Sequence, residues 1–431
     1  MYFPRKRLFW AVSIGHLTND TFMSMQSVVL AFISVNLLPL STVQIGTILG
    51  VTALLGALSQ PFFGLLTDRG GGRLLGAGGV AWTVGFMLLA LVAAETGIYW
   101  LMVAAFILPA IGSGAFHPVG TMFAADSDRS YAASNLSYFF LMGQFGLALG
   151  PAIAGLLLNS ASTNNAAFTE ALGPVLHGRL LEQGTVSPIL TVGLFAIPAV
   201  LMMAFTIPNR AAFRQTKTSE RENAPIEARA AIPVVALLIL ISMVTLRSLA
   251  QPGSVNFIPV LFQAKGWSPA QYGLITSSFW IASGIAGVFI GGMADRFDRR
   301  RVIAISLVLS APAFFFLPLV DGALAFMLAI LAGGLSGGSH SIIVVMAQSL
   351  IPRAKAFASG MILGLIFGTG AVGNFLIGWL SEAIGLDNAF QLVAGLIVVS
   401  SALALLLPAQ QPAAPVAPEV PAPREASAER A

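Results

Sequence analysis

Charged residues in this chain are confined to short intervals between long apolar stretches, and that spacing restricts its fold more than any other feature. A helix crossing a bilayer needs roughly 20 mostly apolar residues. Breaks at charges, Gly and Pro divide the chain into twelve such spans. They lie at about 8–36, 44–66, 74–94, 98–123, 131–159, 188–208, 232–262, 268–294, 302–320, 322–349, 356–383 and 388–408. Only 9% of residues are charged and 56% are hydrophobic, against about 25% charged in a soluble domain. A fold in water could not hide that much apolar surface. A span of that length crosses the bilayer as a helix, whose backbone polar groups bond within the segment, rather than as a barrel strand of about 10 residues.

The basic residues orient the spans. With the N-terminus inside, cytoplasmic segments hold 17 Lys and Arg, from Arg5, Lys6 and Arg7 through Arg296, Arg299, Arg300 and Arg301 to Arg353 and Lys355. External loops hold two, Arg179 and Lys265. A wrong span count would scramble this asymmetry, which follows the positive-inside rule. The sequence pI near 9.7 has the same origin, so it gives no reason to expect a nucleic-acid partner. The basic start, Arg5-Lys6-Arg7, reads as the flank of an uncleaved first helix, because His16, Asn19 and Asp20 follow without a small-residue cleavage site. Both termini are expected in the cytoplasm.

These limits divide the chain into an N-terminal bundle at 1–208, a charged cytoplasmic linker at 209–231 and a C-terminal bundle at 232–408. A Pro- and Ala-rich tail at 409–431 reads as disordered. Residues 160–187 form an external loop, either partly helical or a floppy insertion. With no cysteine, disulfides, thiol catalysis and Cys-based metal sites are excluded. No cofactor or metal is expected.

The two bundles repeat one another. Gly64, Asp68 and Arg69 follow span 2, and Gly291, Asp295 and Arg296 follow span 8 at a constant offset of 227. Offset 223 relates His117 to His340, Gly150 to Gly373 and Gly155 to Gly378. A constant shift across several motifs indicates duplicated six-helix units. The loop after span 2, with Gly64, Leu66, Asp68, Arg69 and Gly71, resembles the signature of the major facilitator superfamily, and Arg73 lies one position beyond the usual basic residue. Gly146, Gly150, Pro151 and Gly155 resemble the Gly-Pro motif of that family's antiporters. Gly15-His16 with Asn19-Asp20, Phe116-His117-Pro118, Leu246-Arg247-Ser248 and the stretch from Ala347 to Gly364 resemble its fosmidomycin-resistance branch of drug-efflux transporters. The resemblance covers residues 8–408. It implies an all-α membrane fold of two pseudo-symmetric six-helix bundles, acting as a monomer in a bacterial inner (plasma) membrane. The chain departs from many family antiporters near Phe106, where span 4 carries no arginine.

The resemblance implies a cytoplasmic gate of Asp68 and Asp295 with Arg69, Arg73, Arg296 and Arg300; the arginines could equally serve only to set topology. The glycines Gly146, Gly150, Gly373 and Gly378 clear one helix face for close approach. Pro118 and Pro151 remove a backbone donor and are expected to bend their helices. Static packing and hinge roles remain equally open for each glycine.

Five ionisable residues fall deep within spans: His16, Asp20, His117, Arg247 and His340. A charge at mid-membrane costs at least about 2.5 kcal/mol, so each needs a partner or a water-filled cavity. Asp20 lies roughly 18 Å into span 1, Arg247 at similar depth in span 7, and the offset between them is again 227. All five fall on spans 1, 4, 7 and 10, which line the central cavity in the family. His16 and Asp20, four apart, share a helix face. The reading is proton-coupled export, by alternating access, of a small polar or anionic molecule. Asp20 with His16 carries the proton, Arg247 attracts the cargo, and His117 and His340 tune the site. A permanent Asp20–Arg247 salt bridge is the structural alternative, and simple interhelical hydrogen bonds are the alternative for the two histidines. Gln26, Asn135, Gln144, Gln251 and Asn256 are secondary polar candidates, with Phe139, Phe140 and Trp280 as candidate cavity aromatics. The rivals are an uptake symporter for a small organic anion and a non-transporting membrane sensor. No HExxH, Gly-x-Ser-x-Gly or Walker loop is present to make an enzyme or an ATP-driven pump.

Overall fold

A computed structural model of the chain describes residues 3–68, 72–128, 131–162, 185–208, 233–294, 296–351 and 355–409. Every regular element among these is helical. The first six membrane helices are α1 (Arg7–Asn36), α2 (Thr42–Asp68), α3 (Gly72–Glu95), α4 (Tyr99–Ile107 and Pro109–Asp126), α5 (Ala132–Ser162) and α6 (a 3-10 turn at Ser187–Val192, then Gly193–Thr206). The second six are α7 (Val234–Ala264), α8 (Pro269–Ala294), α9 (Arg299–Phe316), α10 (Gly322–Gly337 and His340–Leu350), α11 (Lys355–Ile384) and α12 (Leu386–Leu405). Each span read from the sequence returns as one of these elements. The linker and the tail, and most of the external loop, lie outside the described residues.

Among the described residues, eleven helices are long and apolar enough to cross a membrane, and α1 is not one of them. Its length is ample at 30 residues. The deficit is local, because His16, Asn19, Asp20 and Gln26 occupy its middle and all four are buried. The helix that least resembles a membrane span is therefore the one whose polar side chains the bundle encloses. Lipid takes the opposite surface: Trp100, Phe195, Phe205 and Phe289 are each at least 70% exposed, which in water would be an aggregation hazard.

The same pairings recur in both halves. Helix α1 packs on α5 and α6, α2 on α4, and α3 on α4 and α6; α7 packs on α11 and α12, α8 on α10, and α9 on α10 and α12. Between the halves the main contacts are α5 with α8 and α2 with α11. Glycine makes these crossings possible. A Cβ on Gly155 would lie 2.9 Å from Gly273 Cα, and one on Gly46 would lie 3.1 Å from Gly378 Cα. Backbones meet there without side chains between them. Thr42 Oγ1 donates to Gly378 O at 3.1 Å and Ser277 Oγ donates to Ala148 O at 2.5 Å, adding hydrogen bonds to the same two seams. Both crossings lie near the starts of α2 and α8 and the far ends of α5 and α11. Toward the opposite end, a Cβ on Gly287 or Gly292 of α8, or on Gly364 or Gly368 of α11, meets no atom of the described residues within 4 Å.

Pro118 and Pro151 both sit inside helices that continue on either side of them. Helix α4 is interrupted at Leu108, ahead of Pro109, with Leu108 still in the helical region at φ −62°, ψ −29°. The missing Pro109 N–H removes a ladder bond. Side chains from two other helices reach the carbonyls around the break: Gln26 Nε2 donates to Phe106 O at 3.0 Å and Trp82 Nε1 to Leu108 O at 2.9 Å, while Thr83 Oγ1 lies 3.3 Å from Pro109 O. The second interruption, in α10, falls between Gly337 and His340.

Candidate functional site

Three of the five ionisable residues within the spans meet in the N-terminal half. Asp20 Oδ2 lies 3.2 Å from His16 Nε2, and Asp20 Oδ1 lies 3.6 Å from His117 Nε2. The i, i+4 spacing on α1 supplies the first contact, and packing of α4 against α1 supplies the second. Asn19 Nδ2 donates to Asp20 Oδ1 at 2.9 Å and also reaches Ser113 Oγ at 3.0 Å; Thr83 Oγ1 donates to Asn19 Oδ1 at 3.0 Å. The carboxylate is thus held from helices α1 and α4, and Asn19 is itself fixed by α3.

The far side of each imidazole decides which nitrogen carries hydrogen. His16 Nδ1 lies 2.9 Å from Phe139 O, and His117 Nδ1 lies 2.8 Å from Ser113 O. A carbonyl only accepts, so both Nδ1 atoms donate. In a neutral ring Nε2 is then a bare lone pair, and both Nε2 atoms point at the Asp20 carboxylate. Two facing acceptors at 3.2 Å repel, and a shared proton turns the contact into a hydrogen bond.

Helix α5 shapes this pocket from behind. The His16 ring stacks on Phe139 with centroids 4.1 Å apart and planes 19° apart. A Cβ at Gly143 would enter the His16 ring, and one at Gly146 would lie 2.5 Å from Leu17 O and 2.9 Å from Asp20 Cβ. Gly150 meets Ser24 and Thr21 in the same way, as Gly373 of α11 meets Leu249 of α7. The expected close approach therefore holds at Gly146, Gly150, Gly155, Gly373 and Gly378, and Pro151 contributes its carbonyl to the contact with Gly273.

Arg247 occupies the equivalent place in the other half and is 1% exposed. It does not pair with Asp20, which removes the permanent salt bridge as a reading of this conformation. Its Nε donates to Ser339 Oγ at 3.1 Å and its NH2 to Ser336 O at 3.0 Å. Both acceptors lie at the interruption of α10. The last carbonyls of the Gly322–Gly337 segment have no intrahelical partner, and a cation there also meets the negative end of the helix dipole. The break thus gives Arg247 a neutral anchor. Its remaining N–H groups have no acceptor among the described residues, and no carboxylate among them lies within ion-pair distance. His340 opens the second segment of α10, within reach of the Arg247 charge.

Two of the expected gate arginines, Arg73 and Arg300, bind inside their own halves. Arg73 Nε donates to Ile207 O at 3.0 Å, at the end of α6. Arg300 pairs with Asp298 at 2.8 Å and its NH1 donates to Leu407 O at 3.1 Å, at the end of α12. Positions 73 and 300 differ by the same 227, and each caps the sixth helix of its own half. In this conformation they are helix caps, because exposed terminal carbonyls attract cations. Arg296 is exposed; Arg69 and Asp295 lie outside the described residues, as does the side chain of Asp68.

The secondary candidates divide. Gln26 and Asn135 are structural: Gln26 serves the α4 break, and Asn135 Nδ2 donates to Ser127 Oγ at 3.1 Å. Asn256 Nδ2 donates to Asn374 Oδ1 at 3.0 Å, joining α7 to α11. Gln251 is buried. Among the described residues, Gln144 Oε1, Ser248 Oγ and Asn135 Oδ1 are buried without a partner. Phe140 is exposed and Trp280 packs edge-on against Phe279. Thr83, Ser113, Gly143, Ser336 and Ser339 belong to the two clusters and carry no signal in the sequence, whereas Asn19 lies in the Gly15–Asp20 motif.

Comparison with known proteins decides the family. The Major Facilitator Superfamily model matches residues 12–263 and 240–430. The chain belongs to the major facilitator superfamily. It is 29% identical over 405 residues to an uncharacterized MFS-type transporter, YfnC, of Bacillus subtilis (strain 168), covering 93% of this chain and 92% of that one. It is 26% identical over 404 residues to the fosmidomycin resistance protein of Escherichia coli (strain K12), covering 92% of each. Among solved structures, a bacterial homolog to the human lysosomal transporter Spinster, in an inward-facing, unoccupied conformation, matches with a TM-score of 0.74. That match has 15% identity and covers 93% of this chain and 96% of that one. A D-xylose–proton symporter matches with a TM-score of 0.68, 14% identity and 93% and 97% coverage. These structures share the fold. The chain is a multi-pass membrane transporter and not an enzyme.

Proposed function

We propose that this major facilitator exports a small anionic or polar molecule in exchange for protons, by rocking its halves about the plane of Asp20 and Arg247. The observation that carries the reading is the orientation of His16 and His117. Both rings donate Nδ1–H to carbonyls and aim Nε2 at one carboxylate, leaving a place that a shared proton fills. Arg247, anchored by neutral acceptors and keeping free donors, is the complementary half: it attracts anionic cargo. Gln144 and Ser248 add unpaired polar atoms for the cargo. The likeness to a fosmidomycin resistance protein supports export of a drug-like anion, and the charge asymmetry supports cytoplasmic termini in a bacterial inner membrane. In that orientation the glycine crossings close the external end, so the conformation faces inward. A monomer suffices, because both clusters come from one chain.

Susceptibility of cells with and without the protein to a drug panel including fosmidomycin tests the reading, repeated with Asp20→Asn and Arg247→Ala. The wild type protects against at least one anionic compound and both variants lose that protection. Full protection by both variants contradicts it. Uptake by symport uses the same fold in reverse, and counterflow in inverted vesicles with an imposed pH gradient separates the two directions.

A further inference from the structure

The place between His16, Asp20 and His117 suits more than a proton. We propose that these three side chains form a site for one divalent transition-metal ion of the zinc class. Two imidazoles and a carboxylate, with a fourth position open, are a zinc donor set. Four-coordinate zinc with ligands about 2.0–2.1 Å away sets those ligands about 3.4 Å from one another. The two carboxylate–imidazole separations here are 3.2 and 3.6 Å, and all candidate donor atoms lie within 4.8 Å of one another.

The surroundings match as well as the donors. A metal-bound histidine typically donates its other ring N–H to a carbonyl or carboxylate, which fixes the ring and presents the lone pair. Phe139 O and Ser113 O hold both rings in that way. Asn19 does the same for the carboxylate, and Gly143 leaves room for the His16 ring. The side is open where the ion must enter: the His117 side chain is 22% exposed and that of Asp20 12%, against 4% for His16. The fourth position takes water or an anionic oxygen of the cargo.

The ion would occupy the place assigned above to the proton, but its binding is measured without transport. The full chain is purified with a tag free of histidine and titrated with Co2+, followed by its visible spectrum, and with Zn2+ against a chromophoric chelator. The expected result is one ion per chain with the intense bands of a four-coordinate site. His16→Gln, Asp20→Asn and His117→Gln each weaken binding by at least about 100-fold, since losing even an outer partner costs 10–100-fold. His177→Gln, outside the described residues, keeps it. His117→Cys guards against simple misfolding: the chain has no other cysteine, so a thiolate-to-cobalt band reports that residue 117 is a ligand. Absence of saturable binding overturns the inference, as does undiminished binding in Asp20→Asn and His117→Gln. Proton-driven flux by a chain that binds no metal overturns it while leaving the transport reading intact; metal binding without flux does the reverse.

Discussion

The two halves carry opposite charges at equivalent places. Asp20 and Arg247 stand 227 positions apart in a repeated architecture, yet their surroundings are built differently. Asp20 is ringed by groups that exchange protons or bind cations: two imidazoles, with Asn19 as a fixed donor. Arg247 is held by a hydroxyl and a carbonyl, neither of which titrates. In the proposed function, one half gains and loses a positive charge and the other keeps one. The difference traces to where each half breaks its fourth helix. The break in α4 lies at Leu108 and is covered by Gln26, Trp82 and Thr83, so His117 remains within a helix facing α1. The break in α10 lies beside His340 and frees the Ser336 carbonyl for Arg247. Duplication supplied the frame, and two differently placed interruptions gave the halves different chemistry.

The strongest way to break this comparison is to neutralise each charge alone. Asp20→Asn should abolish flux driven by a pH gradient while cargo exchange persists. Arg247→Ala should weaken binding of an anionic cargo by about 2–5 kcal/mol, the cost of removing one member of a buried charged pair, and Arg247→Lys should recover only part of it because the two-point fork is lost. Cargo affinity measured in both variants checks the division of labour, and equal loss of affinity in Asp20→Asn would erase it.

A smaller effect is expected where glycine sets geometry. Gly143→Ala forces the His16 ring from its stack on Phe139, at a cost of about 1–3 kcal/mol for overpacking. A thermal melt reads that cost, and coupled flux should fall while exchange is kept. Gly273→Ala crowds the α5–α8 crossing by a similar amount and should shift the chain away from this conformation. Single cysteines placed at either end of the cavity report the shift by their labelling rates, free of background because the chain has none of its own. Unchanged labelling would mean that the crossings are passive.

The smallest effect should come from the helix caps. Arg73→Gln and Arg300→Gln each remove a cation from the end of a sixth helix and should cost about 0.3–1 kcal/mol, seen as a modest drop in melting temperature with normal coupling. Loss of transport at normal stability would return these arginines to a gating role.

Much of this was legible in the sequence because lipid imposes a simple rule. A charge inside an apolar span has few reasons to be there, so His16, Asp20, His117, Arg247 and His340 stood out without a structure. The twelve helices were legible for the same reason, α1 included, although its polar middle lowers its hydropathy. What the sequence hid was the set of partners. Phe139 and Phe140 are indistinguishable in a hydropathy profile, but it is the Phe139 carbonyl, positioned by α5, that orients His16. Gly143 is one glycine among 44, and its role appears only when α1 is packed against it. Pro109 marks the break in α4, one proline among several in the spans. The caps were recoverable: Arg73 and Arg300 share the 227 offset, but sequence could not show that both face the end of a sixth helix.

The central claim is that the His16–Asp20–His117 cluster couples cargo movement to a positive charge taken up and released in one half. Proteoliposomes containing the wild type or Asp20→Asn, loaded with the best cargo from the drug panel, test it directly. A pH gradient should drive net flux in the wild type, whereas Asp20→Asn should exchange cargo at equilibrium but ignore the gradient. Gradient-driven flux by Asp20→Asn at the wild-type level would contradict it.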